Sequence, residues 1–248
     1  MGPMAVDYAH ARRYLMRKDP VLAAVIKQVG ACQIANIPPQ PPFMALAESI
    51  ASQQLSVKAA DTIFGRFCAL FGPENIPEPA RLLRLDAEAV RAAGFSRAKV
   101  VFLRDLAAHV VENRLMLDKL HELEDALVLE QLTAVKGIGT WTAEIFLMFR
   151  LQRPDIFPAD DLGLVKAAQR VYGLRQRPTR KKLLKLAETW RPYRSIAAWY
   201  LWRSLSLAPP AEVAPKPAAA PARKASATSA RPSARPLNGS RSRRPKLA

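Results

Sequence analysis

The chain is poor in the residues that build most cofactor sites. Two cysteines, Cys32 and Cys68, and three histidines among 248 residues are too few for a disulfide framework or a multi-cysteine zinc or iron–sulfur centre. That usage fits a reducing compartment: the cytoplasm, associated with the nucleoid in a bacterium, or a nucleus in a eukaryote. No apolar run approaches the ~18–20 residues that span a bilayer, so no membrane partner is expected. Residues Met1 to Arg13 lack a basic stretch followed by an apolar one, the pattern of a secretory signal. Acidic residues are scarce too. Asp and Glu number 21 against 38 Lys and Arg, a net charge of +17, which makes a polyanion the expected partner, nucleic acid foremost.

What is abundant divides the chain in two. Residues 208–248 consist mainly of Ala, Pro, Ser, Arg and Lys, with nine basic residues, one acid and eight of the 21 prolines. So little apolar side chain cannot offset the entropy of ordering, so this segment reads as a disordered tail. Two roles stay open for its +8: a salt-dependent phosphate tether, or solubility alone. Residues 1–207 hold 29 basic and 20 acidic residues and read as the folded part, one domain or two close lobes.

Within it, apolar residues recur at helical spacing in nine stretches: 44–50, 57–71, 87–92, 98–111, 127–135, 142–151, 164–171, 181–190 and 195–207. Breakers separate them, among them Pro38–Pro42, Gly94, Gly137-Ile138-Gly139, Pro154–Pro158 and Gly173. No alternating strand pattern is convincing. The expected fold is all-α.

Two local features bear on chemistry. In Lys136-Gly137-Ile138-Gly139-Thr140-Trp141-Thr142, one helix ends and another begins around two glycines flanking an apolar residue. Glycine permits positive φ and close backbone approach. The amides that open the second helix would face outward as an anion site, the logic of a helix–hairpin–helix holding a DNA phosphate without reading a base. An ordinary tight helical hairpin carries the same glycines. Further on, Asp160-Asp161 precedes another helix. An isolated acidic pair there reads first as an N-cap, but the positive end of a helix also suits a carboxylate that stabilises a developing cation.

The two features together, with Asp161 following Gly139 by 22 residues, resemble the helix–hairpin–helix base-excision DNA glycosylases, whose signature is this hairpin, a Gly/Pro-containing loop and an essential Asp. Within them the chain is most similar to the 3-methyladenine DNA glycosylase II branch of bacteria and fungi. Ser49 to Ala60, Gly94 to Lys99 and Trp190 to Trp202 carry further likeness, and the resemblance covers roughly Pro42 to Leu207. The N-terminal β-containing domain of the branch's bacterial founding member has no counterpart in the residues before Phe43, so the resemblance implies a short form: a two-lobed helical domain over 1–207 with its active site in the cleft between the lobes.

The resemblance also implies roles. Asp161 matches the essential Asp and would stabilise the oxocarbenium-like sugar and orient or deprotonate water. Asp160 falls to a cap or supporting position. Trp141 and Trp202 match pocket tryptophans that stack on a cationic base, worth ~1–2 kcal/mol when desolvated; core aromatic is the alternative for each. Ile145 stands where the founding member has a tyrosine. Gln54, flanked by Gln53 and Leu55, matches the wedge that fills the gap left by a flipped nucleotide. Lys136, Gly137, Ile138, Gly139, Thr140 and Thr142 form the phosphate-binding hairpin, to which Lys99 would add a contact. Carbonyls of Thr133, Val135 and Gly137 would hold a structural Na or K ion, the only cofactor implied. Trp141 occupies the position where bifunctional relatives such as endonuclease III carry a Schiff-base lysine, so base removal without strand cleavage is expected. The implied partners are duplex DNA containing alkylated bases such as 3-methyladenine and 7-methylguanine, and downstream abasic-site repair enzymes, with the protein acting as a monomer. A glycosylase for deaminated or oxidised bases, and a non-catalytic DNA-binding module, are the alternatives.

Overall fold

A computed structural model of the chain describes residues 6–207. The expected tail, 208–248, lies outside the described residues. Among those described there are twelve α-helices and no strand. In chain order they are α1 Tyr8–Lys18, α2 Pro20–Val29, α3 Pro42–Ser52, α4 Val57–Ala69, α5 Pro79–Arg84, α6 Ala87–Ala92, α7 Arg97–Val111, α8 Asp125–Thr133, α9 Thr140–Phe149, α10 Leu162–Val171, α11 Arg180–Ala187 and α12 Arg194–Ser204. None is long and apolar enough to cross a membrane. All nine expected helical stretches are present; α1, α2 and α5 were not expected.

Side-chain caps explain where many of these helices start. The hydroxyls of Ser56, Ser96 and Thr179 accept amides at the starts of α4, α7 and α11, and carboxylates of Asp7, Asp19 and Asp161 do the same for α1, α2 and α10. Each amphipathic helix then buries one face in a single continuous apolar core. The described residues 6–207 fall within one compact unit.

Two packing arrangements place the functional loops. Helices α3, α4, α5 and α7 pack on one another, while α1, α2, α10 and α12 form a second cluster, and α9 packs between α8 and α3. Asp19 ties the second cluster together. Besides capping α2, its buried carboxylate accepts from Tyr172 Oη at 2.6 Å, just past α10, and from Trp190 Nε1 at 2.9 Å. Tyr200 on α12 donates to the Gly30 carbonyl at 2.9 Å. These bonds fix α10, and with it the loop carrying Asp161, against a rigid wall. Cys32 and Cys68 are both free thiols.

Candidate active site

The hairpin between α8 and α9 is held from behind by α7. Gly137 has φ +83, and a Cβ there would lie 2.3 Å from the Phe102 ring, so both conformation and space require glycine. Ile138 is buried and pins the turn. The Lys136 amide donates to Asp105 Oδ2 at 2.8 Å, and its ammonium sits 3.7 Å from the other oxygen of that carboxylate. The first bond of α9 runs from the Ala143 amide to the Gly139 carbonyl at 3.1 Å. Among the described residues, the amides of Gly139, Thr140, Trp141 and Thr142 have no protein acceptor. They are the unsatisfied donors of a helix N-terminus, as the hairpin reading requires. Only the amide of Thr142 can serve, because its side chain is buried.

The loop Pro154–Asp160 leads into α10 and is clamped by the start of α12. Ser195 Oγ accepts the Ile156 amide at 2.9 Å and donates to the Arg153 carbonyl at 2.6 Å. Arg194 grips Asp155 through its carboxylate at 2.8 Å and its carbonyl at 2.7 Å. Two turns beyond Ser195 on the same helix, Trp202 points back at the loop's end.

Three N–H groups converge there on Asp161. Leu164 N donates to Oδ1 at 2.7 Å, Trp202 Nε1 donates to Oδ1 at 2.9 Å, and Trp141 Nε1 donates to Oδ2 at 2.8 Å. The carboxylate is therefore both the N-cap of α10 and the junction of the hairpin helix with α12. A carboxylate offers about four lone-pair sites, so it retains capacity for one more donor. Asp160, expected as a cap or supporting residue, does not cap: it points outward and pairs with Arg180 Nε at 3.1 Å.

The tryptophans thus have a role that sequence reasoning missed. Their N–H edges orient Asp161, in addition to whatever their faces stack on. Trp141 is 47% exposed. The Trp202 ring lies 5.9 Å from Phe149 at a 32° tilt. Gly163 makes the arrangement possible, since a Cβ there would lie 2.9 Å from Asp161 Oδ1 and 3.2 Å from the Trp202 indole. Phe149 had a legible signal: it falls eight residues after Trp141 and four after Ile145, on one face of α9. Leu162-Gly163 after Asp161 resembles the fungal members of the branch, but the steric need for glycine at 163 shows only in the fold. Glu144, on α9, is also half-buried; burial, reinforced by Asp160 and opposed by Arg180, pushes its carboxyl up to about 7.

The expected wedge divides. Gln54 adopts φ +60 and is exposed, as is Leu55, so both stand at the tip of the loop after α3. Gln53 instead turns inward and donates Nε2 to the Gly137 carbonyl at 2.8 Å, which joins the wedge loop to the hairpin. Lys99, expected at phosphate, lies behind the same loop. Its ammonium donates to the carbonyls of Ala51 and Gln53, each at 2.7 Å, and burial lowers its pKa. Of the carbonyls expected to bind a cation, that of Gly137 faces Gln53 and that of Val135 accepts the Ile138 amide at 3.1 Å. Each keeps a second lone pair. No cluster of three His, Cys, Asp or Glu able to hold a metal occurs among the described residues.

Comparison with known proteins places this geometry. Residues 47–192, which contain the hairpin, the loop and Asp161, match the family described as HhH-GPD superfamily base excision DNA repair protein. The chain belongs to that superfamily. It is 38% identical over 168 residues to DNA-3-methyladenine glycosylase 1 of Schizosaccharomyces pombe, covering 67% of this chain and 74% of the relative. Among solved structures, it resembles the S. pombe 3-methyladenine DNA glycosylase in complex with abasic DNA, with a TM-score of 0.70, 33% identity and coverage of 82% of this chain and 100% of the other. The DNA-3-methyladenine glycosidase of Bacillus halodurans is also similar, with a TM-score of 0.71, 36% identity and coverage of 82% and 91%. The superfamily and branch expected from the sequence are those these relatives represent.

Proposed function

We propose that this protein is a monofunctional DNA glycosylase that flips out alkylated purines such as 3-methyladenine and 7-methylguanine from duplex DNA and hydrolyses their N-glycosidic bond, leaving an abasic site for downstream repair enzymes. The observation that carries this reading is the convergence of Trp141, Trp202 and the Leu164 amide on Asp161. A helix needs only the amide bond for its cap; two indoles aimed at the same carboxylate serve the carboxylate itself.

The steps follow from the groups present. The outward amides at the start of α9 hold a phosphate of the lesion strand, and a cation at the carbonyls of Thr133, Val135 and Gly137 would add charge there. Flipping costs a few kcal/mol, less at a weakened pair. Gln54 and Leu55 at the loop tip fill the vacated stack, braced by Lys99 and Gln53. An alkylated purine already carries positive charge and departs without a strong general acid. As its bond to the sugar lengthens, positive charge grows at C1′. The fixed carboxylate of Asp161 faces that charge and receives the incoming water at its remaining acceptor site. The water's proton leaves through that carboxylate or to solvent, and the base departs neutral.

Trp141 offers no amine for a Schiff base, and the only ammonium in the hairpin, on Lys136, is paired with Asp105. This supports base removal without strand cleavage. The test uses a duplex oligonucleotide with one 7-methylguanine. The protein should convert it to a product cut only by later alkali, with no adduct trapped by borohydride. A trapped adduct would overturn the monofunctional assignment, and an intact lesion strand would overturn the activity.

A further inference from the structure

A cleft of about 410 Å³ opens between α3, α4 and α9, within the range of small-ligand sites. Asp161, Trp141 and Trp202 do not line it; Phe149 on its wall connects it to them. On α9, Trp141, Ile145 and Phe149 recur every four residues along one face. Trp141 holds Asp161, and Ile145 and Phe149 line the cleft. Phe149 also packs on Trp202, the second indole holding Asp161.

The opposite wall is acidic. Glu48, Ser49 and Ser52 line it from α3, and Asp61 from α4. Glu48 is half-buried, while Asp61 is exposed at the mouth. Among the described residues the one cation on the wall, Arg150, donates Nη1 to the Pro38 carbonyl at 3.2 Å. Gln40, in the same proline-rich strap, donates Nε2 to Glu48 Oε2 at 2.8 Å, and its own Oε1 is buried without a partner among the described residues. The strap Pro38–Pro42 thus fixes Glu48 from outside, leaving the rest of its carboxylate to the cleft.

We propose that Glu48 is a specificity-determining residue that makes this cleft select positively charged bases, with Asp61 supporting it at the mouth. The inference rests on the glycosylase reading above and names how its substrate class is chosen. A cation entering an apolar cleft loses hydration and needs a counter-charge. An opposite charge within ~4–6 Å favours the charged form of a titrating group by one to three pH units, a ~10- to 1000-fold preference. Ile145 leaves the aromatic wall thinner than a third ring would make it, and the carboxylate supplies the missing attraction. The sign matters for kinetics. The base is cationic while bound and loses its charge as the bond breaks, so Glu48 favours capture and not departure. Asp161 takes over the charge as it moves to the sugar.

The experiment compares two duplexes, one with a single cationic 7-methylguanine and one with a single neutral hypoxanthine. Wild type, Glu48→Gln and Asp61→Asn are measured for KM and for the single-turnover rate at saturation. Glu48→Gln keeps an acceptor for Gln40, and circular dichroism checks its fold. The expected result is a KM for the 7-methylguanine duplex raised about tenfold, with its saturated rate equal or higher, and a several-fold smaller change for hypoxanthine. Asp61→Asn, at the exposed mouth, should shift KM in the same direction by less. Equal changes for both duplexes would overturn the proposal. So would a selective loss of hypoxanthine release, which would make Glu48 a proton donor to neutral bases. If wild type released no base from either duplex, the underlying activity would be at fault and not the role of Glu48.

Discussion

Replacing Gly163 with alanine should separate activity from stability. An alanine Cβ would lie 2.9 Å from Asp161 Oδ1 and 3.2 Å from the Trp202 indole, where ordinary contacts are 3.4–4 Å. Relief requires the carboxylate or the indole to move by roughly 0.5 Å, set against the normal range of such contacts. That oxygen accepts from Leu164 N at 2.7 Å and Trp202 Nε1 at 2.9 Å, so at least one of the two bonds must stretch or break. A hydrogen bond to a charged group is worth ~1.5–3 kcal/mol. If its full value is felt in the transition state, the rate falls ~10- to 150-fold. The fold should lose much less, because Gly163 lies within α10, where alanine is the better helix former by up to ~1 kcal/mol, which offsets part of the weakened bond. Single-turnover base release from a 7-methylguanine duplex, run beside a thermal melt, should therefore show a large loss of rate with Tm shifted by no more than a few degrees. A wild-type rate would refute the claim that the Asp161–Trp202 geometry matters. A rate loss matched by a falling Tm would show a folding defect instead.

Gly137→Ala should act in the opposite sense. Its positive φ and its 2.3 Å approach to Phe102 should destabilise the hairpin by at least ~1–3 kcal/mol, lowering Tm by several degrees and weakening binding to undamaged duplex, as melting and fluorescence anisotropy would register. Asp19→Ala removes the acceptor of Tyr172 and Trp190 and the cap of α2; stranded buried donors cost ~1–3 kcal/mol each, so chemical denaturation should show one of the larger losses available from a single substitution. Glu144, pushed up to about 7 by burial, binds its proton more tightly in the folded chain than in the unfolded one. Its stabilising contribution is complete at pH values below the ordinary carboxylate range and is lost as pH rises through about 7. A Tm series from pH 4.5 to 8 should decline more steeply for wild type than for Glu144→Gln, and identical slopes would remove Glu144 from the explanation.

The parts legible in the sequence were those written in local chemistry. Gly137 and Gly139 mark a turn because backbone conformation and close approach demand it, and Asp161 marks a helix start because a capping carboxylate must stand there. Nine helices showed through the period of their apolar residues. Those that did not show are thin or short. In α1 only Ala11 and Leu15 are buried, amid basic side chains, and α5 has six residues. For α2 the Asp19-Pro20 pair is itself a readable helix start. What stayed hidden depends on contacts between distant segments. Lys99 braces a loop 46 residues away at Gln53, Asp105 anchors the hairpin from 31 residues away at Lys136, and Ser195 clamps Ile156 from 39 residues away. From the sequence Lys99 reads as a phosphate contact and Gln53 as part of a wedge, and only the fold reveals that each supports the loop tip. The family resemblance gives the tryptophans a role through their faces, whereas the hydrogen bonds to Asp161 come from their edges, a distinction residue type cannot make.

The central claim is that one fixed carboxylate carries the chemistry while the basic surface brings in the DNA. Its most direct test quantifies free bases released from methylated duplex DNA by wild type and by Asp161→Asn, with binding to the same DNA measured in parallel. The account predicts release of 3-methyladenine and 7-methylguanine by wild type, a loss of at least ~100-fold in the variant, and binding within a few-fold of wild type. Base release by Asp161→Asn at the wild-type rate would contradict it.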